Sequence, residues 1–261
     1  MPAAIRTLAL VVNTQKSGAP DIGRALLAIA KTSGVATRIT EIFPIPAGFL
    51  KNCDACCVIG VNCGNLGFLT IFTADEARAN FAGLLAGNFE LSRRSLLQCE
   101  IGATAASPPP RALHALNDIV IKDERNSRLV RLEVLADGEL ITDYFSDGLI
   151  FSTPTGSTAY NLSAGGPLIH PAADVIAMTP VCPHTLTNRT IIFRHDVRLQ
   201  IRNRDDQARL LVAADGLQNP VPCGGAPIEI TLSPHRLPLI QRPAHSLFSV
   251  MREKLKWSGS H

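Results

Sequence analysis

Short apolar segments separated by turn residues fill the middle of the sequence, and this pattern constrains the fold more than any other feature. Four segments have the length and composition of β-strands: Leu116 to Lys122, Leu129 to Ala136, Glu139 to Tyr144 and Gly148 to Ser152. Asp137-Gly138 predicts a hairpin between the second and third, because Asp and Gly tolerate the positive φ of a type I′ turn. This part of the chain is therefore predicted to be mainly β.

The first hundred residues have a different pattern. Ile5 to Val12 is an apolar run typical of a strand, and Ile22 to Ala30 has apolar residues at helical spacing, with Asp21 as the expected N-cap. Val35 to Phe43 and Ala55 to Ile59 are predicted as further strands. Strands that alternate with helices indicate an α/β domain with a parallel sheet.

These patterns predict two domains, an α/β domain over residues 1–97 and a mainly β domain over residues 98–243. Leu247 to Leu255 has the apolar spacing of one amphipathic helix. We expect the terminal segment, residues 244–261, to dock back on the first domain.

Composition and charge bear on the partners that the chain can have. A formal charge of +3 over 261 residues leaves no footprint for a nucleic acid. The longest apolar stretches are of strand length, far below the roughly 20 residues that span a bilayer, so no membrane span is predicted. The N-terminus has the pattern of a first strand and lacks that of a signal peptide, so a cytoplasmic location is expected.

The cysteines favour reduced thiols. There are seven, an odd number, and most lie within apolar runs. Cys53 and Cys56 form a Cys-x-x-Cys motif, but no second pair or His follows at the spacing of a zinc site. Core thiols are therefore favoured over a metal or redox site.

The richest stretch in small polar residues runs from Asp147 to Tyr160 and continues through Ser163-Ala164-Gly165-Gly166-Pro167. A strand leads into this stretch, and its Gly, Ser and Thr residues allow backbone N–H groups and hydroxyls to converge on an anion. A helix that starts at Thr158 would direct its positive end toward that anion. A plain turn between strand and helix is the alternative.

Two weaker motifs accompany this stretch. Residues Gly60 to Thr70 contain glycines spaced so that the backbone can approach a ligand closely. Asn117-Asp118, at the start of a predicted strand, places an amide beside a carboxylate, a pair that can hold the vicinal hydroxyls of a ribose. Taken alone, such a pair is more often part of a turn.

In this order, the three motifs resemble those of the NAD kinase family, and the resemblance extends over most of the chain. Cys182-Pro183-His184-Thr185-Leu186 and Asp215-Gly216 match the family as well. The resemblance implies the two-domain NAD kinase fold, with a nucleotide-binding first domain and an NAD-binding second domain. It also implies a homodimer or homotetramer, with NAD bound between the domains and across a subunit interface.

The resemblance further implies roles for individual residues. Asn117 and Asp118 would hold ribose hydroxyls of NAD, and Asp147 would lie beside the nicotinamide end. The pocket for the nicotinamide and adenine halves would be lined by Thr158, Ala159, Tyr160 and Ser163. A nucleotide phosphate loop would contain Asn62, Gly64, Gly67 and Phe68. Two weaker candidates for the pocket are His184 and Asp215.

The implied reaction transfers the γ-phosphoryl group of ATP, or of inorganic polyphosphate, to the 2′-hydroxyl of the adenosine ribose of NAD. Glycine-rich backbone donors and Mg²⁺ would neutralise the phosphates. A carboxylate would orient the hydroxyl and accept its proton. In the family this carboxylate is the aspartate of a Gly-Gly-Asp-Gly motif, so its position in this chain decides whether a catalytic residue can be assigned.

That motif is absent from this sequence. Ile59-Gly60 runs directly into Val61-Asn62, without the helix and strand that separate the two motifs in the family. Parallel strands need a crossover of about a dozen residues or more. Either the polypeptide contains residues that the printed sequence lacks, or the deletion is genuine; the intact patterns on both sides favour the first explanation. No catalytic residue is therefore assigned.

Two other functions remain open. A relative with an impaired active site would bind NAD or NADP without phosphoryl transfer. A lipid or sphingoid-base kinase is disfavoured by the Asn117-Asp118 pair and by the run from Thr155 to Tyr160.

Overall fold

The structure of the protein is a computed structural model. It describes residues 4–14, 16–42, 49, 51–53, 59–62, 67–70, 72–102, 111–125, 128–185, 187–205, 207–216, 221–223, 225–241 and 246–257. The chain divides into two compact units, one formed by Met1–Ser92 with Pro238–His261 and the other by Arg93–Leu237. The terminal segment thus belongs to the same unit as the N-terminal residues. Among the described residues, no helix is long and apolar enough to cross a membrane.

The first unit is α/β. Its elements in chain order are β1 (Thr7–Val11), α1 (Ala19–Thr32), β2 (Ala36–Thr40), β3 (Val61–Asn62), β4 (Phe72–Thr73), α2 (Ala74–Leu85) and, after the second unit, α4 (Leu247–Leu255). β1 pairs with β2 and β3 pairs with β4, both in parallel. The predicted parallel pairing is therefore confirmed for β1 and β2, whereas β3 and β4 were not predicted as strands. Most of the predicted strand from Ala55 to Ile59 lies outside the described residues.

Helix α1 begins earlier than the sequence pattern predicts. Its N-cap is Gly18, and Pro20 lies in the first turn, where a missing N–H costs nothing. Asp21 is therefore not the N-cap; its carboxylate lies inside the first turn and pairs with Arg24. The helix was predicted to start with the apolar repeat at Ile22, whereas it starts before that repeat, at Ala19.

The second unit is mainly β. Its strands are β5 (Glu90–Ile101), β6 (Arg111–Ala115), β7 (Asp118–Asp123), β8 (Val130–Ala136), β9 (Glu139–Ser146), β10 (Gly148–Ser152), β11 (Val175–Val181), β12 (Ile191–Arg194), β13 (Leu199–Asn203), β14 (Leu210–Ala214), β15 (Val221–Pro222) and β16 (Ile228–Gln241). Two of these strands, β5 and β16, extend by three and four residues into the ranges of the first unit. The strands form two six-stranded sheets, ordered β12-β11-β10-β7-β14-β15 and β6-β5-β16-β13-β8-β9. One hydrophobic core contains residues of both sheets, as expected when sheets pack face to face.

The predicted hairpin is confirmed. Asp137 and Gly138 have φ values of 51° and 86° and join the antiparallel strands β8 and β9. The central strand β10 has the predicted bounds, and all five of its residues are buried. It pairs with β7 on one side and β11 on the other. This strand positions the small-residue stretch that follows it.

Candidate active site

Strand register brings the Asn-Asp pair to the small-residue stretch. β7 and β10 are antiparallel, and Ser152 at the end of β10 pairs with Asp118 at the start of β7. The chain that leaves β10 therefore begins beside Asn117. Two motifs that are distant in sequence thus share one end of a sheet.

Hydrogen bonds and a close backbone approach fix this junction. Thr153 donates its backbone N–H to the Asn117 carbonyl at 2.9 Å and its hydroxyl to the Leu116 carbonyl at 2.5 Å. Gly156 lies so near that a Cβ added there would be 2.0 Å from the Asn117 carbonyl oxygen. Only glycine fits this position without displacing the backbone of the Asn-Asp pair.

The predicted helix after Thr158 is much shorter than expected. A 3₁₀ turn covers Gly156–Thr158, and a single turn of α-helix, α3, covers Tyr160–Ser163. One turn has too few aligned peptides for a substantial helix dipole. Anion binding at a helix N-terminus is therefore not supported here, and the polar groups of the loop itself have to provide the chemistry.

Asp118 is the most perturbed carboxyl group of the site. Its side chain is buried and accepts the backbone N–H of Tyr160. Burial, and then the nearby Asp215 carboxylate, raise the pKa of Asp118 to about 6, although the Tyr160 N–H opposes this shift. The group therefore titrates near neutral pH, where its charge can respond to a bound ligand.

Asp215 supports the Asn-Asp pair from the neighbouring strand. It follows β14, which pairs with β7. Its carboxylate accepts three consecutive backbone N–H groups: Leu116 at 2.8 Å, Asn117 at 2.7 Å and Asp118 at 3.2 Å. Asp215 was predicted as a weaker pocket residue, and in the structure its carboxylate binds the backbone of the pair.

A buried polar network behind the loop was missed by the sequence analysis. Asn161, fully buried, accepts the Thr179 hydroxyl at 2.7 Å and donates to the Pro167 carbonyl at 3.1 Å. The Ser157 hydroxyl donates to the Pro154 carbonyl and accepts the Ile169 N–H. Thr179 and Ile169 lie 18 and 12 residues away along the chain, so no local pattern marks Asn161 or Ser157 as buried.

Asp147 and Tyr160 face one cavity of about 150 Å³. Its lining also includes Lys122 and Arg128, together with Val120, Gly148 and Val181. The cavity therefore combines two cations, one carboxylate and a phenol, a set that can bind a polar ligand of mixed charge. Lys122 and Arg128 were not predicted as site residues.

The remaining predicted residues of this unit lie in different surroundings. Thr158 and Ala159 are half-buried, and Ser163 is exposed on α3. His184 packs against Phe145, with ring centroids 5.8 Å apart. The backbone N–H of His184 donates a hydrogen bond to the Phe145 carbonyl. It is not among the residues that line the cavity.

The predicted phosphate loop belongs to the first unit. Gly67 donates its N–H to the Thr70 hydroxyl at 2.8 Å, and Phe68 is half-buried. Gly64 and the side chain of Asn62 lie outside the described part of the chain. Within the described residues, no three His, Cys, Asp or Glu side chains form a group that could hold a metal ion.

Known proteins match this chain over most of its length. A family model described as the ATP-NAD kinase C-terminal domain matches residues 116–242. The NAD kinase of Gemmatimonas aurantiaca is 40% identical over 203 residues, which are 77% of this chain and 70% of that protein. The chain belongs to the NAD kinase family. The NAD kinase of Citrifermentans bemidjiense is 39% identical, over 77% of this chain and 69% of that protein.

Solved structures of the NAD kinase family share the fold. A yeast NADH kinase crystallised with NADH has a TM-score of 0.80 at 22% identity, over 100% of this chain and 90% of that one. An NAD kinase from Archaeoglobus fulgidus in complex with ATP has a TM-score of 0.75 at 22% identity, over 96% of this chain and 99% of that one. The predicted fold class, an α/β unit followed by a mainly β unit, is thereby confirmed.

Proposed function

We propose that this chain is an NAD kinase, which transfers the γ-phosphoryl group of ATP to the 2′-hydroxyl of the adenosine ribose of NAD and so makes NADP. One observation carries the proposal beyond family membership. The Asn117-Asp118 pair and the small-residue loop are in direct contact, joined by the Thr153 bonds and by the close approach of Gly156 to Asn117. A ribose hydroxyl pair and the rest of a dinucleotide can therefore be bound together.

In this proposal Asn117 and Asp118 bind the ribose hydroxyls. The amide of Asn117 can donate and accept, and the carboxylate of Asp118 accepts from hydroxyl donors. The ionised form of Asp118 is the one that accepts two such bonds, so its pKa of about 6 makes dinucleotide binding weaker in acid. Thr158, Ala159, Tyr160 and Ser163 complete the dinucleotide pocket, and Asp147 with Tyr160 contributes the cavity described above.

On the donor side, we assign the ATP phosphates to the glycine-rich segment that contains Asn62, Gly64, Gly67 and Phe68. Polyphosphate is an alternative donor with the same chemistry. Mg²⁺ supplies charge neutralisation when it is bound to ATP, and it commonly binds through substrate phosphates and water. We assign the cation to the ATP phosphates.

The proton acceptor for the 2′-hydroxyl is not assigned to a described residue. Asp118 is placed to bind the ribose, and the family's Gly-Gly-Asp-Gly aspartate has no counterpart in the sequence between Ile59 and Val61. The alternative function, a relative that binds NAD or NADP without turnover, depends on this absence. The two functions differ in one measurable respect, the formation of NADP.

The deciding experiment joins intact mass spectrometry with an assay of NADP formation from NAD, ATP and Mg²⁺. A mass above 27.9 kDa together with turnover would establish both the missing segment and the kinase activity. A mass equal to that of the sequence, with NAD bound and no NADP formed, would establish the binding protein instead. Turnover at the lower mass would show that the kinase works without the motif.

Assembly and location complete the proposal. The family resemblance suggests a homodimer or homotetramer, which size-exclusion chromatography with light scattering would measure directly. A cytoplasmic location is proposed as well, and fractionation of expressing cells would test it.

A further inference from the structure

The Asn-Asp pair is held from two directions. Its carbonyl side is fixed by Thr153, which donates to the carbonyls of Leu116 and Asn117. Its N–H side is fixed by the Asp215 carboxylate, through the bonds of 2.8, 2.7 and 3.2 Å to Leu116, Asn117 and Asp118. In addition, the backbone N–H of Asp215 donates a hydrogen bond to the Asp118 carbonyl at 2.9 Å.

We propose that Asp215 is a positioning residue for the dinucleotide: its carboxylate fixes the backbone of Leu116 to Asp118 so that the Asn117 and Asp118 side chains are oriented toward the ribose. This inference rests on the proposed function. Three N–H groups that converge on one carboxylate restrain the φ and ψ angles of the pair. These angles set where both side chains point.

The same carboxylate acts on Asp118 through its charge. Three influences on the Asp118 carboxyl group are resolved: its burial, the Asp215 carboxylate on the neighbouring strand and the backbone N–H of Tyr160 on α3. Burial and Asp215 raise the pKa of Asp118, and the Tyr160 N–H lowers it. Removing the charge of Asp215 should therefore lower the pKa of Asp118. A purely structural role for Asp215 does not require this coupling.

The chain contains a matched control in its other Asp-Gly turn. Asp137 has a φ of 51° and Asp215 a φ of 49°, and a glycine with positive φ follows each. Asp137 accepts the Arg198 N–H at 3.0 Å and donates its own N–H to the Arg198 carbonyl at 2.9 Å. The backbone exchange resembles that of Asp215 with Asp118, but no predicted site residue takes part.

The experiment compares Asp215→Asn with Asp137→Asn in the full chain. The KM for NAD, the KM for ATP and the acidic limb of kcat/KM for NAD are measured for both. We expect Asp215→Asn to raise the KM for NAD roughly tenfold, with the KM for ATP unchanged and the acidic limb moved to lower pH. Asp137→Asn should leave all three at their wild-type values.

Equal kinetic behaviour of the two variants would overturn the positioning role while leaving the kinase proposal intact. Wild-type protein that neither binds NAD nor forms NADP would overturn both. If Asp215→Asn does not fold, Asp215→Glu replaces it, because this change keeps the charge but displaces the carboxylate. A raised KM for NAD without a moved acidic limb then supports positioning, and an unchanged KM for NAD rejects it.

Discussion

Gly156 and Gly60 meet the same physical constraint in different units of the molecule. At each, an added Cβ would lie 2.0 Å from a backbone carbonyl oxygen, that of Asn117 for Gly156 and that of Leu69 for Gly60. Gly156 joins two motifs that are far apart in sequence, whereas Gly60 contacts a residue of its own glycine-rich segment. The second unit therefore builds its site by long-range register, and the first unit builds its segment from local contacts.

This difference determines which substrate's binding a mutation should affect. A change in a long-range junction disturbs both motifs that meet there, so the ribose side and the loop should fail together. A change in a local segment should affect only the ligand bound by that segment. If the units bind different substrates, variants in each should raise the KM of a different substrate.

The largest effect is expected for Gly156→Ala. The new methyl group would overlap the Asn117 carbonyl, and the backbone of one motif would have to move. We expect kcat/KM for NAD to fall about 100-fold or more, because a misplacement of about 1 Å can have that effect on a reaction. Steady-state kinetics with NAD as the varied substrate measure the change.

Gly83→Ala is the control for this variant. Gly83 lies in helix α2, and an added Cβ would meet only Asn88 at ordinary contact distances of 3.7 Å or more. Alanine there should leave the kinetics unchanged and raise stability by roughly 0.5–1 kcal/mol. Wild-type kcat/KM in Gly156→Ala would refute the idea that close approach joins the two motifs.

Asp118→Asn should increase the stability of the fold while it weakens the binding of NAD. The pKa of Asp118 is raised from 3.8 to about 6 in the folded protein, so this group's stabilising contribution is present below pH 3.8 and lost as pH rises through 6. The variant should therefore be more stable than wild type at pH 8, by up to roughly 3 kcal/mol. Its KM for NAD should nevertheless rise about tenfold, because a neutral amide replaces the carboxylate.

Urea denaturation at pH 4 and pH 8 measures this effect with an internal control. The stability difference between wild type and Asp118→Asn should be small at pH 4 and large at pH 8. A variant that is less stable than wild type at both values would mean that the ionised carboxylate stabilises the fold. The link between burial and the raised pKa would then be wrong.

Gly67→Ala tests the local segment of the first unit. Its Cβ would lie 2.6 Å from the Thr70 hydroxyl, the end of a side chain that can rotate, so the hydrogen bond from the Gly67 N–H would be lost. Without this bond, the segment has to be ordered when ATP binds, and a cost of about 1 kcal/mol for that ordering corresponds to an increase of roughly fivefold in the KM for ATP. The KM for NAD should stay at its wild-type value, as substrate-varied kinetics would reveal.

Thr70→Val is the matched variant, because it removes the same hydrogen bond and adds nothing at Gly67. Similar values of the KM for ATP in both variants would attribute the effect to the bond. An increase in the KM for NAD instead would contradict the assignment of the phosphates to this segment.

The features that were predicted correctly from the sequence depend on residues close together along the chain. Strand β10 and the Asp137-Gly138 hairpin followed from apolar runs and from turn residues that act within a few positions. The roles of Asn161 and of Asp215 did not follow, because the bonds of Asn161 to Thr179 and of Asp215 to Asn117 exist only after distant strands have paired. The family motifs predicted which segments form the site, and the contacts that each residue makes within them depend on strand register.

The smallest effect is expected for Asp21→Ala. As an N-cap, Asp21 would contribute about 1 kcal/mol, but its carboxylate lies in the first turn of α1 and pairs with Arg24, where both side chains are about 70% exposed. Exposed pairs and first-turn acids are each worth only a few tenths of a kcal/mol, so the loss should stay below about 0.7 kcal/mol.

Thr73→Ala is the comparison, since Thr73 caps α2 through a capping box with Glu76 and should cost about 1 kcal/mol or more. Equal losses of stability in chemical denaturation would mean that Asp21 is the N-cap after all. A smaller loss for Asp21→Ala supports the start of α1 at Ala19. It would also show that even a local motif can be misassigned when a proline shifts the start of a helix.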